Sequence, residues 1–500
     1  MEDLARELGA GPPMSPSIFP EEVRSQVTVF GLNDALAYAM RHARDLQSAK
    51  EDLYLAALDL SLERHLWTPQ FVADVQTQYT DFPKDADLDR ALSTVSEVAV
   101  SQRLPLGGTL TARAIHSMMH DIVQEVSKGE SGQLILEGTI PLLRGAGRVA
   151  YESRYQAERE LIYAVRRFER FRRNFLVDIA RDYFDLQGRK AAIANTYRAY
   201  INRRRDWFRA EFIHRMGRSR TIAEVPRARS VFRSAEVALV SAKESYETAL
   251  DRFKIRIGMP VEQLLDVLDQ DEDRASEAVD ALLPDVDETT AAETAVKYRL
   301  DLLNLADQVD DARRGVKVAK NRILPDLDFT GRVTYDSDPA QLRAANLREE
   351  RRTWEGIVQL RVDDRKTERN AYRASLITLR RAQRDYEQFA DTVRADARRA
   401  LRRIRQQENI RRIQEHNVRE NEIRLEGARA QFALGRSTNQ DVVDAENDLL
   451  AASNQLARAI SDYRIAVLEF RLSTGTLRIT DDGWWGLPEQ EHEGKEKPDG

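Results

Sequence analysis

Apolar and polar residues alternate strictly over residues 71–80, and this period of two predicts a β-strand. The more apolar face consists of Phe71, Ala73, Val75, Thr77 and Tyr79. The opposite face is polar and includes Asp74, Gln76 and Gln78. Such a strand suits either a position between lipid and a wet lumen or a half-exposed place in a soluble sheet, and by itself it favours the soluble sheet.

Other segments of the chain are also predicted to be extended. They are residues 95–104, 109–117, 134–142, 327–335 and 354–362. Several aromatic residues lie near the predicted strand ends, where the aromatic girdle of a membrane protein would sit: Trp67, Tyr79, Phe82, Tyr335 and Trp354.

Two long stretches, residues 147–216 and 365–434, carry the period of an α-helix. A helix of about 70 residues is on the order of 100 Å long. In the second stretch a narrow apolar seam steps by three or four residues, and a matching seam follows Gly435. We expect these two segments to form an antiparallel helical hairpin of the coiled-coil kind.

The order of helix, strand and long helix occurs twice. Pro69 and Pro325 mark equivalent ends of a helix, and residues 217–219 recur as residues 435–437, Gly-Arg-Ser in both cases. The first copy has additional residues before its long helix, which include the extended segments between residues 95 and 117. The chain is therefore predicted to be an internal duplication.

These patterns divide the chain into five regions. We expect a disordered segment over residues 1–28, an acidic linker over 261–288 and a disordered polar tail over 478–500. The first repeat covers residues 29–260, with strands at 71–142 and a long helix at 147–216. The second repeat covers residues 289–477, with strands at 327–362 and a long helix at 365–434.

Composition excludes a few functional classes. A net charge of -6 and a pI near 5.9 provide no basic footprint for nucleic acid. The absence of cysteine excludes disulfides and thiolate metal sites. No run reaches the ~18 apolar residues of a membrane-spanning helix. Because Met1–Arg6 lacks a basic and then apolar leader, we expect either a cytoplasmic protein or a true start upstream of Met1.

Two patterns point weakly to binding chemistry. Residues 145–150 match a dinucleotide fingerprint, but no returning parallel strand with an acidic tip follows, as that fold requires. His116 and His120, with Asp121 and Glu125, have the spacing of metal ligands, but no further histidine or cysteine completes a site. We therefore expect neither a cofactor nor a catalytic metal.

A family resemblance rests on motifs near the ends of the long helices. They are Phe432–Ala445, reading FALGRSTNQDVVDA, the closing Leu472–Leu477, reading LSTGTL, and the junction Pro141–Arg148, reading PLLRGAGR. Degenerate counterparts occur at residues 216–219 and 257–258. Over residues 29–477 the chain resembles the outer membrane efflux (TolC) family.

The resemblance implies a mixed α/β membrane protein with duplicated repeats of strands and long helical hairpins. Three copies would close one outer-membrane β-barrel and continue as a periplasmic α-helical barrel of coiled-coil type. The expected role is the channel subunit of a tripartite efflux or type I secretion system, without enzymatic activity. Expected partners are two further copies, outer-membrane lipid, a periplasmic adaptor and an inner-membrane pump of the RND or ABC type. The signal peptide is then expected to be missing from this chain.

The number of strands remains open at this stage. Four strands per chain is the pattern of the family, whereas residues 95–104 and 109–117 form an additional predicted pair. This pair is either an extracellular hairpin or two more strands of the barrel. In the strand at residues 71–80, Asp74, Gln76 and Gln78 are expected to face the lumen.

The resemblance also implies an entrance constriction. Asp441 and Asp444 match acidic positions that ring the narrow periplasmic end of the tunnel, where threefold symmetry would favour cations. An alternative is that first-turn carboxylates complement the helix dipole. Gating contacts are expected near four residues: Glu224, Phe432, Arg436 and Ser437.

A second interpretation of the whole chain is a soluble coiled-coil scaffold whose strands form a small capping sheet. The polar composition, with a mean hydropathy of -0.56, and the missing leader both fit it. Cell fractionation separates the two interpretations.

Overall fold

The computed structural model describes most of the chain. The described residues are 14–81, 90–121, 126–216, 224–270, 272–273, 279, 286–337, 347–434, 436–479 and 485–486. Phe82, Glu125, Gly435 and residues 217–219, which carry sequence predictions, lie outside them.

Eight α-helices are present in the described part of the chain. They are α1 Leu32–His42, α2 Arg44–His65, α3 Glu152–Arg215, α4 Glu224–Ile257, α5 Glu288–Tyr298, α6 Leu300–Asn321, α7 Lys366–Ala433 and α8 Asn439–Ser473. Short 3-10 helices lie at Glu21–Gln26 and Gly147–Tyr151. The two longest helices, α3 and α7, lie where the sequence predicts them.

Ten strands occur over the same residues. They are β1 Thr28–Phe30, β2 Gln70–Asp81, β3 Arg90–Arg103, β4 Thr109–Asp121, β5 Val126–Pro141, β6 Leu265–Val267, β7 Asp326–Ser337, β8 Leu347–Arg361, β9 Arg478–Ile479 and β10 Trp485–Gly486. Six of them form one sheet in the order β2-β3-β4-β5-β7-β8, and each neighbouring pair is antiparallel.

The described chain folds as two compact units. The first unit contains Met1–Lys50, Arg167–Leu303 and Phe389–Gly500, and the second contains Glu51–Arg166 and Asn304–Gln388. The six-stranded sheet belongs to the second unit.

Apolar residues at helical spacing build the core of the first unit. In α1, Leu32, Leu36 and Ala39 are completely buried because they share one face of the helix. They join a cluster that includes Tyr183 of α3 and Phe253 of α4. This is the packing expected of amphipathic helices.

Two glycines close the two repeats in the same way. Gly258 follows α4 with φ +82°, and a Cβ there would lie 2.1 Å from the carbonyl oxygen of His42. Gly475 follows α8 with φ +72°, and its Cβ would lie 2.7 Å from the carbonyl oxygen of Tyr298. His42 and Tyr298 end α1 and α5, so each helical hairpin returns to the first helix of its own repeat through a glycine that no other residue could replace without strain.

One predicted helix is divided in the structure. The helical region that the sequence predicts to end near Pro69 consists of two helices, since α1 ends at His42 and α2 begins at Arg44. Ala43 between them is extended, with φ -67° and ψ 127°. Arg299 separates α5 from α6 in the same manner, with φ -76° and ψ 116°. The break is therefore a feature of the repeat that helical periodicity does not reveal.

Described residues of the predicted disordered N-terminal segment and of the predicted acidic linker make tertiary contacts. The backbone N–H of Met14 donates to the Tyr200 hydroxyl at 3.3 Å. Lys243 donates to the carbonyl oxygen of Ser15 at 2.6 Å. In the linker, Asp273 is 2% exposed and accepts from the Tyr183 hydroxyl at 2.7 Å. Tertiary partners thus hold residues of these polar segments, and residues 1–13 lie outside the described part.

The extra predicted pair of strands lies inside the sheet. β3 and β4 pair between β2 and β5, so the described chain contributes six strands to one sheet. The β3–β4 turn contains Gly107 and Gly108, both with positive φ. Leu106 in this turn accepts a 2.7 Å hydrogen bond from the N–H of Gly147, where the chain leaves β5 for α3. The turn therefore lies at the end of the sheet that leads into the long helix.

Candidate functional site: the start of α8 and the faces of the sheet

A capping box begins helix α8. Thr438 is the N-cap, and its backbone N–H and hydroxyl donate to Asp441 Oδ2 at 2.7 and 2.8 Å. The N–H of Asp441 in turn points to the Thr438 hydroxyl at 3.4 Å. Hydrogen bonds from Thr438 hold the pKa of the Asp441 carboxyl below its usual value. Asp441 is therefore an exposed carboxylate that remains ionised in neutral solution.

Asp444 lies one turn further along the same helix. It is exposed and accepts a hydrogen bond from the Gln440 amide at 2.8 Å. Because residues three apart on a helix share a face, Asp441 and Asp444 present two carboxylates side by side. Asp441 thus takes part in capping the helix, and the carboxylates of Asp441 and Asp444 are both exposed.

The predicted gating residues differ in their surroundings. Phe432 packs against a small apolar cluster of Leu425, Val442 and Ala445, which joins the end of α7 to the start of α8. Ser437 Oγ lies 3.4 Å from the carbonyl oxygen of Ala428. Phe432 and Ser437 thus stabilise the α7–α8 turn.

Arg436 and Glu224 complete the predicted set. Arg436 is exposed, and its backbone N–H donates to Gln431 at 2.9 Å. Glu224 is the first residue of α4, immediately before the buried Val225. The residues that precede Glu224, at 217–223, lie outside the described part of the chain.

The structure contains a buried ionic cluster near the start of α8 that the sequence did not predict. Arg203 of α3 is 3% exposed, and its Nη1 lies 2.8 Å from Oε2 of Glu446 in α8. Arg203 also donates to the carbonyl oxygen of Val443 at 2.9 Å. Arg429 of α7 binds the other carboxylate oxygen of Glu446 at 2.8 Å. The cluster therefore joins three long helices that belong to both repeats.

Asp206 adds a second acid beside this cluster. Burial and the nearby Glu446 raise the pKa of the Asp206 carboxyl, although Arg203 opposes the rise. Its Oδ2 lies 4.0 Å from Arg203 Nη1. The charge of Asp206 is therefore incompletely compensated where it stands.

One face of the six-stranded sheet is apolar and exposed. A row of paired residues crosses all six strands: Phe71, Val100, Ala112, Leu136, Val333 and Trp354. Phe71 is 76% exposed and Trp354 is 67% exposed. Exposed apolar surface of this extent marks a contact with another protein or with a membrane.

The opposite face of the sheet carries polar and charged residues. Asp74, Gln76 and Gln78 lie on it and are exposed. Further along the same face, Arg332 of β7 binds Glu137 at 2.7 Å and Glu355 at 3.1 Å. Polar or charged residues thus lie on this face in β2, β5, β7 and β8.

Residues of the two weak binding motifs have hydrogen-bond partners within the chain. His116 Nε2 lies 3.1 Å from Glu130 across the β4–β5 pair. The N–H of Gly145 donates to Asn321 at 2.8 Å, so an amide that a phosphate would need is already engaged. The residues described by the structure contain no group of three or more His, Cys, Asp or Glu side chains able to hold a metal ion.

None of the helices in the described residues is both long and apolar enough to cross a bilayer.

Comparison with known proteins gives a family match in the second half of the chain. The profile of the family described as outer membrane efflux protein matches residues 291–476, which contain the second repeat. No curated protein sequence matches the chain significantly.

Solved structures that share this fold include a protein that forms a transmembrane channel and two outer-membrane proteins. CusC has 14% identity and a TM-score of 0.66 over 93% of this chain and 96% of its own. The Campylobacter jejuni channel CmeC has 15% identity and a TM-score of 0.64 over 92% and 90%. VceC of Vibrio cholerae has 15% identity and a TM-score of 0.65 over 89% and 96%. Residues 291–476 thus match the outer membrane efflux protein family, and the chain shares the fold of solved outer-membrane channels.

Proposed function

We propose that three copies of this chain form one continuous exit duct, in which the sheets close a barrel in the outer membrane and the long helices line a periplasmic tunnel. The exposed apolar face of the sheet carries this proposal. Its strands have 12 to 16 residues, more than the 9 to 11 that a tilted strand needs to cross a bilayer.

The free edges of the sheet require further copies. β2 and β8 are the outermost strands, and their unpaired backbone groups have no partner in lipid unless the sheet closes. Because the strands alternate in direction and their number is even, β8 of one copy runs antiparallel to β2 of the next. Three copies is the number in the family that the sequence resembles.

Asp441 and Asp444 are assigned to the entrance of the duct. Threefold symmetry would bring six exposed carboxylates together there, and such a ring favours cations. The lowered pKa of Asp441 supports this assignment because the carboxylate stays charged. Glu224, Phe432, Arg436 and Ser437 are proposed to stabilise the closed form of the same end.

The finer assignment of partners rests on the resemblance to the outer membrane efflux family. The duct would receive its substrates from a periplasmic adaptor and an inner-membrane pump of the RND or ABC type. The chain itself supplies the passage and performs no chemistry on the substrate.

Disulfide trapping of the subunit contact tests the duct. The chain contains no cysteine, so introduced pairs report without background. Gln76→Cys in β2 is combined in turn with Thr353→Cys, Glu355→Cys or Ile357→Cys in β8. We expect one register to give covalent trimers on a non-reducing gel, because a disulfide needs Cα atoms within about 7 Å.

The matched control places the second cysteine in the middle of the sheet. Gln76→Cys with Thr334→Cys should give no covalent trimer, since β7 lies between β5 and β8. Failure of all three β2–β8 pairs in membranes, together with monomeric protein after detergent extraction, would refute the duct.

A further inference from the structure

The β3–β4 hairpin distinguishes this chain from the four-strand pattern of the family that its sequence resembles. β3 pairs with β2 through all twelve residues of β2, from Gln70↔Ser101 to Asp81↔Arg90. β4 pairs with β5 from Thr109↔Thr139 to Asp121↔Val126. Both hairpin strands are thus integral members of the sheet.

The position of the β3–β4 turn excludes an extracellular hairpin. The turn at Leu106–Gly108 lies beside Gly147, where β5 leads into α3, and the Gly147 N–H donates to Leu106 at 2.7 Å. A Cβ on Gly108 would lie 2.1 Å from the carbonyl oxygen of Thr139 near the end of β5. An extracellular hairpin would turn at the opposite end, so β3 and β4 instead cross the full height of the sheet.

The hairpin also carries the apolar face across the sheet. Val98 of β3 pairs with Ala73 on β2 and with Ala114 on β4. Ala114 pairs in turn with Leu134 of β5. Val98 is 54% exposed, and Leu110 on the same face of β4 is 53% exposed. These side chains therefore continue the surface assigned to lipid.

The other face of the hairpin carries charged residues, as expected of a surface that lines a water-filled channel. Arg113 of β4 lies 2.7 Å from Glu97 of β3. Both residues project on the side that carries Asp74 and Gln76 of β2, because paired residues share a face and successive residues alternate. The ion pair between Arg113 and Glu97 is compatible with a water-filled lumen on this side of the sheet.

We propose that the trimer closes an eighteen-stranded outer-membrane barrel, with six strands from each chain. This inference rests on the proposed trimeric duct. Barrel diameter grows roughly linearly with strand number, so the pore would be about 1.5 times as wide as one built from twelve strands. Barrels of 16 to 18 strands enclose an open aqueous channel. The outer-membrane part of this duct is therefore suited to bulkier substrates, and selection by size falls to its periplasmic end.

Spin labels on single cysteines test the place of the hairpin. Val98→Cys and Ala114→Cys lie on the apolar face, Ala99→Cys is the adjacent control on the polar face, and Val75→Cys on β2 is the reference. Each full-length protein is reconstituted in lipid vesicles. Power-saturation EPR then compares the accessibility of the label to oxygen, which concentrates in lipid, and to a water-soluble nickel chelate.

We expect the labels at positions 98, 114 and 75 to favour oxygen and the label at 99 to favour nickel. Nickel accessibility at 98 and 114 with oxygen accessibility at 75 would place the hairpin outside the lipid and overturn the eighteen-stranded barrel while leaving the duct intact. Nickel accessibility at position 75 as well would instead refute the duct itself, and the wider barrel with it.

Discussion

Arg203 and Glu446 form a buried ion pair between the two repeats. Arg203 Nη1 lies 2.8 Å from Glu446 Oε2, and the two side chains are 3% and 5% exposed. Arg203 lies on α3 of the first repeat and Glu446 lies on α8 of the second. The pair therefore joins both helical hairpins close to Asp441 and Asp444, which are assigned to the entrance.

Removal of one partner of this pair should strongly destabilise the helical part of the protein. Glu446→Ala leaves Arg203 buried without its carboxylate, and breaking a buried pair costs about 3 to 5 kcal/mol. Thermal unfolding followed by helical circular dichroism measures the loss. The control Asp310→Ala breaks an exposed pair with Arg313, where an effect of at most about 1 kcal/mol is expected. Equal effects of the two variants would contradict the role given to Arg203 and Glu446.

Asp206 should make stability depend on pH in an identifiable direction. Its raised pKa means that the folded protein binds a proton more tightly than the unfolded chain does. The free energy of unfolding should therefore fall as pH rises from 3.8, the ordinary pKa of this carboxyl group, through the raised pKa of Asp206. Asp206→Asn removes this dependence.

Thermal unfolding of the wild type and Asp206→Asn across that pH range tests the sign. The melting temperature of the variant should exceed that of the wild type increasingly as pH rises. A difference that shrinks with rising pH would show that the interaction of Asp206 with Arg203 outweighs its burial.

The carboxylates at the start of α8 should control cation block. In a planar bilayer, a trivalent cation on the periplasmic side should bind the proposed ring of Asp441 and Asp444 and reduce the current. Replacing both residues with Ala should weaken the block by roughly tenfold or more, because the fixed charges that attract the ion are gone. The control Glu422→Ala with Glu426→Ala removes the same charge from exposed positions on α7. An unchanged block in the double aspartate variant would place the constriction elsewhere.

The two faces of β2 should tolerate arginine differently. Val75 is 69% exposed on the apolar face, and Val75→Arg should impair assembly because a cation facing lipid near the midplane costs about 2 to 4 kcal/mol. Gln76→Arg places the same charge on the polar face and should be tolerated. The yield of detergent-extracted trimer from outer membranes gives the comparison, and equal yields would argue against the assignment of the faces.

Substitution of Gly258 should destabilise the protein. An alanine there would adopt a left-handed conformation that costs about 1 to 2 kcal/mol, and its Cβ would lie 2.1 Å from the His42 carbonyl oxygen. We expect Gly258→Ala to lower the melting temperature by several degrees. Gly427→Ala is the control, since nothing lies within 4 Å of its Cβ and a helical alanine should be neutral or stabilising. Comparable stability of the two variants would show that the chain relaxes at Gly258.

Local patterns were sufficient to predict the principal elements. Alternation at residues 71–80 predicts β2 at Gln70–Asp81, and the helical period predicts α3 and α7 within a few residues of their ends. Thr438 and Asp441 also have the spacing of a capping box, which the structure contains. Each of these features depends on residues that are near neighbours in the chain, so a single sequence records them.

Features that join distant residues could not be predicted in this way. The alternation in β3 and β4 shows that they are strands, but it does not show which strands lie beside them. The pairing of β3 with β2 and of β4 with β5 decides that question. Arg203 likewise lies in a run of three arginines that looks like a solvated surface, and only its neighbour Glu446 reveals it as buried.

The sequence by itself therefore determined the duplication, the long helices, the strands of the sheet and the resemblance to a family, because periodicity and motif spacing are properties of the local chain. Only the tertiary structure decided that six strands share one sheet, that Ala43 and Arg299 interrupt their helices, and that an ion pair joins the repeats. The physical reason is that strand pairing, helix packing and charge burial depend on which distant residues come together, and the energies of these contacts arise only in the folded chain.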